Sequence, residues 1–112
     1  MAEQLLVFWR PGPNVKLSDA EIARELLWGE EVEGLIDLPI REVLDRLKIA
    51  FPDHEEKSGL FVGRTGSGAF EATWTWQYFR VDTDGLTPDD RQRLIDVLEA
   101  FGCTYQESHG GP

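Results

Sequence analysis

The chain has 112 residues, of which 41% are hydrophobic and 29% charged, and its formal net charge is −10 at pH 7. That length suits one domain able to bury a core without metal or disulfide, and the composition is not that of a disordered tail. The charge disfavours nucleic acid and anionic membrane, which require a positive field, and permits a basic protein partner.

Cys103 is the single cysteine. No internal disulfide or thiolate zinc site can form, and the expected setting is reducing and cytoplasmic. Residues 1–13, MAEQLLVFWRPGP, hold a short apolar run without a preceding basic segment or a small-residue cleavage signal. They read as neither signal peptide nor membrane span.

The segment 4–10, QLLVFWR, is apolar on both faces: Leu5, Val7 and Trp9 on one, Leu6 and Phe8 on the other. Burial on both sides suits a central strand. Pro11-Gly12-Pro13 ends it, because two prolines remove ladder donors. A helix start follows at Leu17-Ser18-Asp19-Ala20-Glu21-Ile22, where Ser18 can cap, Glu21 can close a capping box and Leu17 can staple onto Ile22. Its apolar stripe is Ile22, Ala23, Leu26 and Leu27, and Gly29 is the expected stop. Glu30-Glu31-Val32-Glu33-Gly34 reads as an acidic linker. A second helix is expected from Pro39, with Ile40, Val43, Leu44, Leu47 and Phe51 at helical spacing and Pro52 ending it.

Asp53 to Ser58 reads as a charged, exposed loop, and 59–64 as a short strand. Thr65-Gly66-Ser67-Gly68 suits a hairpin turn. The next strand places Phe70, Ala72 and Trp74 on one face and Glu71, Thr73 and Thr75 on the other. The apolar phase then slips to Phe79 and Val81, which predicts a bulge or a tight turn near Trp76-Gln77, with the turn preferred and a further strand at about 78–82. Thr87-Pro88-Asp89-Asp90 opens a last helix with a cap, a first-turn proline and two carboxylates at the positive helix end. Its stripe is Leu94, Val97, Leu98 and Phe101, and Gly102 stops it. A short strand at 103–106 completes the order β-α-α-β-β-(β)-α-β. The expectation is one α+β domain over 1–107 with a loose tail at 108–112. Its antiparallel sheet is backed by helices, ferredoxin-like in the split βαβ sense with an extra helix.

No motif completes a catalytic set. Asp82-Thr83-Asp84-Gly85-Leu86-Thr87 looks like the aspartate nucleophile motif of the haloacid dehalogenase superfamily. However, Leu86 stands where that family has Thr or Val, and fewer than thirty residues follow to supply its lysine and metal ligands. A strand-to-helix turn that caps the helix explains the same letters. Gly63 to Gly68 evokes a phosphate loop, but a strand follows it and the lysine is absent. The imidazoles of His54 and His109 stand alone in sequence, so neither a metal site nor a cofactor is expected.

Two features remain. The aromatic set Phe8, Trp9, Trp28, Phe70, Trp74, Trp76, Tyr78 and Phe79 reads mostly as core, with Trp76 at the phase break as the ring expected at the surface. Glu30, Glu31, Glu33 and Asp37, with Glu25 just before, form the densest acidic stretch. It is either a solvated linker or a docking surface for a basic protein.

The stretch Trp74-Thr75-Trp76-Gln77-Tyr78-Phe79-Arg80-Val81-Asp82, with Gly85-Leu86-Thr87 and Phe101-Gly102-Cys103, resembles small acidic bacterial proteins of unassigned function. The aromatic strand Leu5–Trp9, the Val32–Leu35 linker and the helix from Pro39 belong to the same pattern. The resemblance covers nearly the whole chain and implies a bacterial, cytoplasmic, single-domain protein without supplying a catalytic residue. In size and charge such proteins are similar to immunity proteins of bacterial toxin systems, by analogy and not homology. The expected function is a non-catalytic binding module that docks a basic partner through Glu25, Glu30, Glu31, Glu33, Asp37 and Trp76. The alternatives are a small-ligand binder or minor enzyme with an aromatic-lined pocket between sheet and helices, and a homo-oligomer paired through a sheet edge.

Overall fold

A computed structural model describes residues 4–66, 68–83 and 85–109. The elements run β1 (Gln4–Trp9), α1 (Asp19–Leu27), α2 (Ile40–Ala50), β2 (His54–Lys57), β3 (Leu60–Arg64), β4 (Ala69–Trp74), β5 (Phe79–Asp82), α3 (Pro88–Glu99) and β6 (Thr104–His109). The strands form one sheet in the order β2-β3-β4-β5-β1-β6, and every neighbouring pair is antiparallel. The molecule is therefore α+β. Because β5 and β6 both run antiparallel to β1, they are parallel to each other, joined across α3 with β1 between them.

Helices α1 and α3 begin as their sequences dictate. Ser18 Oγ accepts the Glu21 N–H at 3.3 Å, and Glu21 Oε1 accepts the Ser18 N–H at 3.1 Å, closing the capping box. Hydrogen bonding to the Glu21 carboxyl, first from the Ser18 backbone N–H and then from the Ser18 side chain, holds it below its ordinary range. Thr87 Oγ1 accepts the Asp90 N–H at 3.3 Å, and Pro88 fills the first position of α3. Pro39 caps α2 rather than opening its first turn.

The period-2 pattern sorts the side chains into two layers. On one face, Leu6 and Phe8 of β1 share rows with Val81 and Phe79 of β5, and Val81 in turn with Ala72 of β4 and Ala72 with Phe61 of β3. Helices α2 and α3 cover this face through Val43, Leu44, Leu47, Leu94, Ile95 and Leu98. Phe51 and Phe70 meet edge-on at 4.8 Å between centroids, and Arg93 stacks over Phe51 at 4.5 Å. Gly63 is required here, since a Cβ at that position would collide with the Phe70 ring. On the other face, Val7 and Trp9 pack with Ile22, Ala23 and Leu26 of α1 and with Val32 and Leu35 of the following loop. Full burial of each such side chain is worth about 1.5–3 kcal/mol. β1 is thus buried on both sides, as its unbroken apolar run predicts.

Two expectations are corrected. The stretch Asp53–Ser58 is not a loop throughout, because His54–Lys57 form β2, hydrogen-bonded to β3 at the sheet edge. Its charged side chains find partners rather than water alone: Lys48 Nζ lies 2.7 Å from Glu56, and His54 stacks on Phe61 at 5.5 Å. An edge strand paired on one side only does not need apolar alternation, and charged residues there discourage further pairing. The C-terminal strand is also longer than the expected 103–106, running from Thr104 to His109 opposite Gln4. Residues 110–112 of the expected tail lie outside the described residues, as do Ser67 of the hairpin turn and Asp84 of the aspartate motif.

Candidate functional site

The slip of apolar phase after Trp74 resolves into a tight turn. The Thr75 N–H donates to the Tyr78 carbonyl at 2.9 Å, and Thr75 Oγ1 accepts the Gln77 N–H at 3.2 Å. Trp76 and Gln77 are left at the tip between β4 and β5. The two side chains behave oppositely: Trp76 is 48% exposed, whereas Gln77 is 3% exposed.

Gln77 is buried because it reaches a loop 45 residues away in sequence. Its Oε1 accepts the Val32 N–H at 2.8 Å, and its Nε2 donates to the Val32 carbonyl at 2.6 Å. One side-chain amide thus satisfies both backbone groups of a buried residue, much as a neighbouring strand would. The Leu38 N–H donates to the Trp76 carbonyl at 2.9 Å, so the turn is fastened to the loop at two points. Arg10 fastens the far side: its carbonyl accepts the Ile36 N–H at 3.0 Å and its Nη1 donates to the Asp37 carbonyl at 3.1 Å. Gly12 completes the seat, as a Cβ there would strike the Gly34 carbonyl. Val32 and Leu35 point inward beside Trp9.

The acidic stretch is therefore a loop pinned through its backbone, with its carboxylates in solvent. Glu30, Glu31, Glu33 and Asp37 are all exposed along it, while Glu25 is half-buried on α1. Glu31 and Glu33 line a cleft of about 380 Å³ with Trp76, Gln77, Val32, Gly34 and Leu35. Glu33 also borders a second cleft, of about 710 Å³, with Asn14, Lys16 and Leu17. Of the six residues expected at the site, Glu31, Glu33 and Trp76 share one cleft. Glu30 and Asp37 sit on the same loop outside it, and Glu25 lies at its entry, where its carbonyl accepts the Glu30 N–H at 3.0 Å.

Two residues were not anticipated in these roles. Trp28 is 78% exposed, more than Trp76, and its position off the Ile22–Ala23–Leu26 stripe could have revealed this. Gln77 carries no such signal, because its burial depends on a loop distant in sequence. The other expected rings sort as core or half-buried, with Trp74 stacked on Phe79 at 5.7 Å. Arg80 and Glu71 line a separate shallow cleft with Thr73 and Asp82 on the β4–β5 surface, away from Trp76.

Cys103 is buried, and burial pushes its thiol up to about 11, against a smaller opposing pull from Arg10. No group of side chains able to hold a metal ion occurs among the described residues, and no helix among them is long and apolar enough to cross a membrane. No protein family, characterised protein or solved structure matches the chain. What the site can do therefore follows from its own chemistry.

Proposed function

We propose that the protein is a non-catalytic binding module that docks a basic protein through the ridge from Glu30 to Asp37 and the adjoining Trp76. The observation that carries this reading is the pinned loop, which presents exposed carboxylates beside a half-exposed indole on backbone held by Gln77, Trp76 and Arg10. A preformed loop spends little conformational entropy on binding. Clustered like charge speeds the encounter with an oppositely charged partner, and an exposed tryptophan is a common anchor once contact is made. A toxin neutralised by this chain would be one such partner, and the bacterial cytoplasm is the proposed setting. The reading of the fold as ferredoxin-like, extended by the β2–β3 hairpin and an extra helix, is supported by the strand order β6-β1-β5-β4 within the sheet.

A small-molecule pocket between sheet and helices finds less support, since Phe51, Phe61, Phe70 and Phe79 fill that interface. The test is capture from a host lysate at low and high salt, using the wild type and the triple variant Glu30→Lys, Glu31→Lys, Glu33→Lys. A basic protein held by the wild type at low salt, released at high salt and not held by the variant supports the reading. Equal retention by both proteins, or an empty wild-type capture, overturns it.

A further inference from the structure

The cleft between Trp76 and the acidic loop has a more specific chemistry than general attraction for positive charge. It is lined by the half-exposed Trp76, by Glu31 and Glu33, and by Val32, Gly34, Leu35 and Gln77. The Gln77 amide is already engaged by both backbone groups of Val32. Of its side chains, those left to meet a ligand are therefore an aromatic ring and two carboxylates. Neither Glu31 nor Glu33 forms an ion pair among the described residues.

We propose that this cleft receives an arginine side chain of the partner protein, its guanidinium against Trp76 and paired with Glu31 or Glu33. The inference rests on the docking reading above and names the group that the surface selects. A purely apolar side chain would bring carboxylates out of water without compensation. A lysine ammonium satisfies the charge but is a compact, strongly hydrated ion. The guanidinium is planar, more weakly hydrated, able to stack on an indole and to donate two parallel hydrogen bonds to a carboxylate. A second copy of this chain is a poor occupant, because each carries a net charge of −10.

The test uses three fluorescently labelled peptides of one length, each with three arginines, three lysines or three citrullines in a glycine–serine background. They are titrated into the full chain at low salt and followed by anisotropy. The arginine peptide is expected to bind about two- to fivefold more tightly than the lysine peptide, the span of an exposed cation–π contact, and the citrulline peptide not to bind measurably. Trp76→Ala should erase the arginine preference while leaving salt-sensitive binding of both cationic peptides. Glu31→Gln with Glu33→Gln should weaken both. Equal affinity of the wild type for arginine and lysine peptides overturns the arginine pocket yet leaves acidic docking standing, and needs no variant to fold. An undiminished arginine preference in Trp76→Ala also overturns it. Binding of neither cationic peptide overturns the pocket as well, and the lysate capture then judges the docking reading separately.

Discussion

Replacing Gln77 by alanine removes the one side chain that satisfies Val32. In the native chain, Val32 is 4% exposed and both its backbone groups bond to Gln77, at 2.8 and 2.6 Å. Truncation strands a buried donor and a buried acceptor, each costing about 1–3 kcal/mol, and water entering the space left behind recovers part of that. The expected loss is about 2–4 kcal/mol, against a total stability of about 5–15 kcal/mol for a domain of this kind. Urea unfolding should show a lower midpoint with an unchanged m-value, because the surface exposed on unfolding is almost the same. Gln77→Glu sharpens the test. A carboxylate can still accept the Val32 N–H but places an oxygen against the Val32 carbonyl, and only the protonated acid can donate to it. The folded pKa of the introduced carboxyl should rise above its unfolded value of about 4.3. The penalty of the substitution is then small below that pH and grows as pH rises through the folded pKa. A loss below about 0.5 kcal/mol in Gln77→Ala, the scale of an ordinary surface change, would refute the reasoning, as would a pH-independent Gln77→Glu.

Two further outcomes follow from ionisable groups. With its thiol pushed up to about 11 by burial, Cys103 should resist iodoacetamide at pH 8 in the native protein and react promptly in urea. Because that pKa lies above the unfolded value of about 8.5, stability should decline as pH rises from there through about 11. The hydrogen bond from Lys48 holds Glu56 below the ordinary carboxylate range, with Arg41 adding to it. That contribution is present above the unfolded pKa and is lost as pH falls through the depressed folded one. The stability gap between wild type and Lys48→Met, read by urea unfolding, should therefore narrow on acidification, and a constant gap would contradict the pairing.

The elements that were legible in the sequence are those fixed by local chemistry. Ser18 with Glu21, and Thr87 with Pro88, mark helix starts because the groups they satisfy lie within one turn. The double-sided run of β1 announces a central strand, and the change of phase after Trp74 announces the turn. What escaped depends on distant partners. β2 looks like a loop because His54–Lys57 owe their strand to hydrogen bonds with β3 and their charges to ion pairs with α2 and β3. The acidic residues were legible as a cluster, and Trp76 as an exposed ring. Their meeting was not, because it hangs on the reach of Gln77 across 45 positions.

The central place of β1 also has a consequence in time. Its neighbours in the sheet are β5 and β6, whose first residues are Phe79 and Thr104, while β1 itself ends at Trp9. On a ribosome adding roughly 5–20 residues per second, several seconds separate the appearance of this strand from that of either partner. During that interval Leu5 to Trp9 are an apolar, β-rich run with no sheet to enter. Closing two such long loops is slow for entropic reasons. The acidity of the chain can then act before any partner is met, as repulsion that keeps unfinished copies apart.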